Sequence, residues 1–417
     1  MKVAIVSNIP VFPTVEGNRS RVLNLARAIK AIGHTTHFIY LPSRTNAGTD
    51  IDVSAHVSEF GVKQFSPLYR GGIKKLRYNV KRATLTAGRK IKAKLGAAGA
   101  YYFELDELYY DGFTDQLRAL QKSHSFDAVF VEYVFQSRAF SAFPDQIIKV
   151  LDTHDSFADR HIGFVGSDKK PDYWISLTPE DECKGFRRAD VVVAIQEPEA
   201  KEFEARLGND APPVRVVSHF LDLSRPVESY RPGGATFVGS ASSPNVNSIT
   251  YFIDRVLPLV VKAVPDFLLY VAGTVCKHIP DYPNVVKLGR VPHMVDAFSH
   301  APLSVNPMLL GTGINIKLLE AMATAVHTVC TETGSRGLGT GFGDGVTIVP
   351  DNDARAFADA VIRFAMSPDE RERAGREAFH AAQRWNQAQV DALRTILRTS
   401  QSVPENGETV PSPALAS

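Results

Sequence analysis

The densest set of chemically capable residues is Gly311-Thr312-Gly313-Ile314-Asn315-Ile316-Lys317-Leu318-Leu319-Glu320-Ala321-Met322-Ala323. Two glycines open what the spacing predicts as a helix. Lys317 and Glu320 stand three residues apart and so share one helical face, while Leu318, Leu319 and Met322 supply an apolar stripe on the other. Strands are predicted on either side, at Leu303-Ser304-Val305 and His327-Thr328-Val329-Cys330. A glycine loop feeding a helix between two strands offers unpaired N–H groups and the positive end of the helix dipole to an anion. The lysine adds a formal charge, and the glutamate can accept hydrogen bonds from sugar hydroxyls. Together they suit a nucleotide diphosphate joined to a sugar. Such loops are common, so the stretch gains meaning from the elements that position it.

Those elements alternate. Val3–Val6 is a short apolar run, a loop follows from Asn8 to Asn18, and Val22-Leu23, Leu25-Ala26 and Ile29 repeat at helical spacing up to Gly33. With a strand at Thr36–Leu41 this is a β-α-β unit. Further strands are expected at Ala128–Val131 and at Val150–Asp152, which runs into Thr153-His154-Asp155-Ser156-Phe157-Ala158-Asp159-Arg160. The end of a helix at Cys183–Ala189, a strand at Val191–Ile195, a charged helix at Glu197–Leu207 and a strand at Val214–Ser218 complete a first series. Pro226, Pro232 and two glycines break the pattern between Leu221 and Gly234. A second series starts at Ala235–Gly239 and continues with helix Ser248–Val261, strands Phe267–Ala272 and Val285–Leu288, and helix His293–His300. After the glycine stretch come strand Val346–Val349 and helices Ala354–Met366, Asp369–Arg384 and Ala388–Arg398. The tail Ser400–Ser417, rich in Pro and Ser, reads as disordered. Alternation throughout implies parallel sheets. The expected class is therefore α/β, with two doubly wound Rossmann-like domains facing a central cleft and ligands at the carboxyl ends of the strands.

The totals agree. The chain has 417 residues, room for two or three domains, with 44% hydrophobic and 22% charged residues. Its net charge is +2, but Gly61–Ala100 holds eleven Lys or Arg and no Asp or Glu, leaving −9 for the rest. The basic stretch, Lys63 to Gly96, reads either as a solvated helical face or as a surface for anionic lipid headgroups or an acidic acceptor. The acidic remainder and the lack of a binding motif speak against nucleic acid. Cys183, Cys276 and Cys330 are few, odd in number and far apart, as in reduced cytosolic chains, with no metal spacing. Met1-Lys2-Val3-Ala4-Ile5-Val6 starts a strand and not a signal peptide, and no apolar run reaches the roughly 20 residues of a membrane helix.

The sequence resembles the family-4 glycosyltransferases, retaining enzymes of the GT-B fold, over nearly all of residues 1–400. The resemblance rests on Phe237-Val238-Gly239-Ser240, Tyr270-Val271-Ala272-Gly273, Leu288-Gly289, Gly311–Ala323 and Gly334-Ser335-Arg336-Gly337-Leu338. In the first half it rests on the first βα loop and on His154-Asp155 after a strand. The form of the glycine stretch looks like a subgroup associated with bacterial surface polysaccharides. The resemblance implies an acceptor-binding domain over 1–222, a donor-binding domain over 223–380, a helix over 381–399 packing back on the first domain, and the tail 400–417. It implies transfer of a sugar from a nucleotide-diphosphate sugar to a glycan or lipid-linked acceptor, in the cytoplasm or at the inner face of the membrane, with no metal or cofactor. Glu320 would bind ribose, and Lys317 would lie on the diphosphate. The amides of Gly311, Thr312 and Gly313, with Gly239, would meet phosphate or sugar oxygens. Gly17 and Asn18 stand where the family carries paired glycines, with Arg19 beside them as a cation. His154 would line the cleft near the transferred sugar, backed by Asp155 and Arg160. The chain departs from the family twice. Thr312 stands eight residues before Glu320, where the family has its first glutamate, and Ser240-Ala241-Ser242-Ser243-Pro244-Asn245 lacks the usual cations. Two rival readings stay open: another GT-B enzyme such as a nucleotide-sugar epimerase, and a non-catalytic lipid- or protein-binding partner, to which the departures point.

Overall fold

The computed structural model of the chain describes residues 1–14, 17–42, 51–97, 99–163, 175–223, 233–291, 293–310, 314–338 and 342–398. Gly311, Thr312, Gly313, most of the linker and the tail 400–417 lie outside these residues. The first domain contains β1 (Lys2–Ser7), α1 (Gly17–Ala31), β2 (Thr35–Tyr40), α2 (Val53–Phe60), β3 (Phe65–Pro67), α3 (Gly72–Lys94), α4 (Gly112–His124), β4 (Ala128–Glu132), β5 (Ile148–Asp152), α5 (Pro179–Phe186), β6 (Val191–Ala194), α6 (Glu197–Leu207) and β7 (Val214–Val216). The second contains β8 (Ala235–Val238), α7 (Ser243–Tyr251), α8 (Leu257–Ala263), β9 (Leu269–Ala272), β10 (Val285–Gly289), α9 (Met294–Phe298), β11 (Leu303–Asn306), α10 (Ile316–Ala323), β12 (His327–Thr331), β13 (Val346–Val349), α11 (Ala354–Met366) and α12 (Pro368–Arg398).

Both sheets are parallel, ordered β3-β2-β1-β4-β5-β6-β7 and β10-β9-β8-β11-β12-β13. Strand order reverses between β1 and β4 in the first sheet and between β8 and β11 in the second. At such switch points the chain leaves neighbouring strands in opposite directions and opens a crevice at their carboxyl ends. Strand sequences such as Lys2-Val-Ala-Ile-Val-Ser7 bury residues on both faces because helices cover both sides. Val3 and Ile5 face one apolar layer, Ala4 and Val6 the other. Local signals set the helix starts. Asp52 and Asp353 accept from the amides of Ala55 and Ala356, each at 2.9 Å, and Thr178 caps a helix that begins with Pro179.

The structure revises two helices. The helix expected at Ser248–Val261 starts earlier, at Ser243, and contains a π turn over Phe252–Val256. Pro258 lacks the N–H that would bond the carbonyl of Asp254, so the ladder widens there. The helices expected at 369–384 and 388–398 are one helix, α12, of 31 residues, and no boundary falls at 381. Its first half packs Ala378, Ala381 and Ala382 against Leu318, Leu319 and Met322 of α10. Its last turns place Leu393, Ile396 and Leu397 in the core of the first domain with Val3, Ile5 and Val22. Between them, Trp385 Nε1 donates to the His219 carbonyl at 2.8 Å and Gln389 accepts from the Ser218 amide at 2.6 Å. α12 therefore straps the two domains together. Cys183, Cys276 and Cys330 are free thiols, and no helix among the described residues is long and apolar enough to cross a membrane.

Candidate functional site

At the first switch point, Glu132 and Asp152 end β4 and β5 as direct neighbours in register. Two adjacent buried carboxylates repel, and the fold supplies cations to hold them. Arg21, in the second turn of α1, grips Asp152 through Nη2 at 2.7 Å and Nε at 3.0 Å, and also donates to the Val217 carbonyl at 2.8 Å. His154 turns back from the end of β5 so that Nε2 meets a Glu132 carboxylate oxygen and lies 3.9 Å from Asp152. Its ring stacks on Tyr133 with centroids 4.2 Å apart, and Asn18 Nδ2 reaches the Tyr133 hydroxyl at 3.4 Å. Tyr133 and His154 both adopt left-handed backbone, with φ of 70° and 62°. Such conformations cost on the order of 1–3 kcal/mol each and persist where surrounding contacts dictate them. Here the contacts are the stack and the His154–Glu132 bond. Burial first, then the Asp152 charge, pushes the Glu132 carboxyl above its usual range, against the pull of His154 and Arg21. Glu132, Asp152 and His154 bring ligand-type atoms within 4.8 Å of one another, as a cation site would. Arg21 already supplies positive charge at Asp152.

Further along the same loop, Asp155 pairs with Arg160 at 2.8 Å, and the Arg160 guanidinium lies 5.2 Å from the centre of the Phe157 ring. Burial raises Asp155 despite that pairing. Arg19 is turned elsewhere. It is buried, and Nη1 donates to the Pro13 carbonyl at 3.1 Å. The guanidinium at the cleft belongs to Arg21, two residues further along α1, which faces inward where Arg19 faces its own loop.

At the second switch point, Lys317 leaves the first turn of α10. Its Nζ donates to Asn245 Oδ1 at 2.7 Å and lies 3.2 Å from Met308 Sδ and 4.9 Å from the centre of the Phe237 ring. It thus lies between the segments that follow β8 and β11. Burial pushes the Lys317 ammonium down to about 7 and the Glu320 carboxyl up to about 7. Two groups each held near the boundary of ionisation, with no opposing ion as a cause, are suited to receiving charge and hydrogen bonds from a ligand. Asn245, in the first turn of α7, ends the segment Ser240–Asn245 that lacks cations, so Lys317 extends its charge into that space. The glycines pack this edge tightly. A Cβ on Gly273 (φ 101°) would lie 2.1 Å from the Gly239 carbonyl oxygen, and one on Gly239 would lie 2.9 Å from the Phe237 ring.

The halves meet across a cavity of about 390 Å³ lined by Gly17, Asn18, Arg21, Tyr133, His154 and Asp155, among others of the first domain, and by Ile314 and Ile316 of the second. Gly17 sits so close to Ile316 that a Cβ would be 3.1 Å from Ile316 Cδ1. The N-termini of α1 and α10 therefore abut at the cavity. The structure brings Gly17, Asn18, His154, Asp155 and Arg160 to one wall, with Lys317 next to Ile316 on the facing helix. Lys317, Glu320 and Gly239 belong to that facing domain and do not line the cavity. Arg21, Glu132, Tyr133 and Asp152 escaped sequence reasoning, although a charged residue ending an apolar strand run was a signal at both 132 and 152.

Residues 233–367 match the family model described as Glycosyl transferases group 1. An uncharacterized 44.6 kDa protein in the cps region of Klebsiella pneumoniae is 30% identical over 142 residues, which cover 31% of this chain and 36% of that protein. The chain thus matches little more than a third of that relative's length. Among solved structures, sucrose-phosphate synthase from Thermosynechococcus elongatus superposes with a TM-score of 0.60 at 14% identity, over 97% of this chain and 100% of that one. The pneumococcal O-GlcNAc transferase GtfA, in complex with UDP and GlcNAc, gives 0.62 at 9% identity over 96% and 99%. TarM of S. aureus, in complex with Fondaparinux, alpha-GlcNAc-glycerol and UDP, gives 0.61 at 9% over 95% and 100%. The chain has the GT-B fold, and residues 233–367 of its second domain match the model of the glycosyl transferases group 1.

Proposed function

We propose that the protein transfers a sugar from a nucleotide-diphosphate sugar to a glycan or lipid-linked acceptor, with retention, in bacterial polysaccharide biosynthesis. The observation that carries this reading is that the N-termini of α1 and α10 abut at one cavity between the domains, with Lys317 and Glu320 on α10 in the domain that matches the family model. The relative from a cps region and the UDP-bound neighbours of the same fold support it. The diphosphate lies at the abutting N-termini of α1 and α10, with Lys317 beside it, and Glu320 accepts the ribose hydroxyls. The acceptor enters along the wall formed by Asn18, His154 and Arg160. As the bond from the anomeric carbon to the β-phosphate oxygen breaks, charge grows on that oxygen, where fixed dipoles and Lys317 stabilise it. The acceptor oxygen attacks from the same face, and its proton passes to the departing phosphate oxygen. His154, held by Glu132, orients the sugar. This scheme uses no metal and no covalent enzyme intermediate, and the free thiols suit a cytoplasmic setting.

Titration calorimetry with UDP and GDP, followed by mass spectrometry of products from a panel of nucleotide sugars, tests the reading. Binding of at least one nucleotide and acceptor-dependent sugar transfer are expected, with the donor's anomeric configuration retained by NMR. If neither nucleotide binds, the transferase reading fails. Donor turnover without acceptor would favour an epimerase.

A further inference from the structure

We propose that the outer face of α3 is a docking surface for an anionic lipid bilayer. The helix carries nine Lys or Arg and no Asp or Glu. Its inner face is fastened to the first domain. The Tyr78 ring packs edge-on to Tyr110 with centroids 5.7 Å apart, Arg89 pairs with the buried Glu107, and its guanidinium lies 3.9 Å from the centre of the Phe103 ring. Opposite that face runs a second apolar stripe at helical spacing, made of Ile73, Leu76, Val80, Ala87 and Ile91, with Leu95 just beyond the last turn. Its five large side chains are between 58% and 76% exposed. Arg77, Lys90 and Lys94 lie beside the stripe at helical spacing, Lys75 and Lys92 lie further round the helix, and all five are exposed.

Charge and apolar area together select the occupant. Water alone would favour neither an exposed Ile-Leu-Val stripe nor its conservation of helical phase over six turns. A second copy of the helix would bring nine cations against nine. A phosphate backbone would satisfy the cations and leave the stripe in water. A bilayer with anionic headgroups satisfies both, because apolar side chains enter the headgroup boundary while lysines snorkel to the lipid phosphates. The helix is also connected to the cavity. Phe103, under Arg89, donates its amide to the Ser176 carbonyl at 2.9 Å, and the Tyr102 hydroxyl donates to Asp159, whose neighbour Arg160 lines the cavity. Docking through α3 would therefore hold the acceptor wall beside the lipid. That consequence rests on the proposed transfer reaction, whereas the docking itself does not.

Flotation of the full chain with phosphatidylcholine vesicles, with and without phosphatidylglycerol, tests the surface independently of any activity. Partition onto anionic vesicles at about 0.1 M salt should exceed that onto neutral ones by about tenfold or more, and should fall toward the neutral level near 1 M, where screening extends over only ~3 Å. The combined variant Lys75→Gln/Arg77→Gln/Lys90→Gln/Lys92→Gln/Lys94→Gln should lose most of the anionic preference. Ile73→Ser/Leu76→Ser/Val80→Ser should lose binding to both vesicle types. All eight side chains are exposed, so the thermal midpoint and near-UV dichroism should stay at wild-type values. Equal partition onto the two vesicle types would overturn the proposal, as would wild-type binding by both variants. A dimer in light scattering that the serine variant abolishes, with no vesicle binding, would make the stripe an interface between copies and overturn it equally.

Discussion

Lys317 and Glu320 are both poised near neutrality, from opposite directions. Lys317 is lowered from 10.5 to about 7, so the unfolded chain holds its proton more firmly than the folded one between those values. Its burial penalty is full below pH 7 and relaxes as pH rises toward 10.5. Glu320 is raised from 4.5 to about 7, so its penalty is absent below 4.5 and grows to its full size above 7. If the proposed transfer reaction holds, a diphosphate and a ribose that meet the charged forms gain the most near neutrality. Nucleoside diphosphate affinity should therefore peak near pH 7 and fall by up to about tenfold per unit on either side, by calorimetry between pH 5 and 9. A flat profile would remove the two residues from the site. Lys317→Met should abolish nucleotide binding and raise stability by on the order of 1 kcal/mol, since it relieves a buried charge. At the opposite wall, Glu132→Gln keeps the shape of the carboxylate but removes the charge that orders His154. It should lower kcat by about 10- to 100-fold with nucleotide affinity unchanged. Equal losses in affinity and kcat would mean that Glu132 serves only the fold.

The elements that matter most are the short connections leaving β1, β4, β8 and β11. They fix how closely the two domains approach and which residues face the cavity. Gly273→Ala would set a methyl 2.1 Å from the Gly239 carbonyl and a side chain on a backbone with φ of 101°. It should destabilise the second domain by more than about 3 kcal/mol in equilibrium denaturation, because backbone on both sides must move. The same connections mark what the sequence could and could not show. Alternating apolar runs and glycine breaks were enough to recover the two parallel sheets apart from the three-residue edge strand β3, because strands buried on both faces read as continuous apolar segments. His154 stood out because it follows such a run, and Lys317 because a glycine loop opens its helix with Glu320 three residues on. Arg21 did not, because facing inward from α1 depends on a helical phase that Arg19, two residues earlier, matches equally well by type. Glu132 was hidden for another reason. Its place at the end of an apolar run was a faint signal, and in a chain with 45 acidic residues it gains weight once β4 and β5 are known to be neighbours in register. The continuity of α12 was likewise not legible, since the polar segment Arg384–Gln387 stays helical through contacts with His219 and Leu221, more than 160 positions away in sequence.

At the scale of the whole molecule, α12 binds the halves of the cleft into one object. Leu393→Ala and Ile396→Ala lie within the last turns of the described chain, yet each should cost about 2–5 kcal/mol, as a central core truncation does. Denaturation followed by Trp385 fluorescence would show it, and a loss under 1 kcal/mol would mean that the last turns are ornamental to the first domain. The same arrangement bears on how the protein is made. A ribosome delivers β1 to β7 first, yet the layer formed by Val3, Ile5, Val22 and Phe38 lacks its cover until residues 393–397 emerge. At roughly 5–20 residues per second, the intervening stretch takes on the order of 10–30 s to synthesise. Throughout that interval the nascent first domain exposes the apolar positions that Leu393, Ile396 and Leu397 cover in the folded structure. Every product cut short by premature termination therefore carries a visible mark of incompleteness for chaperones and proteases to find.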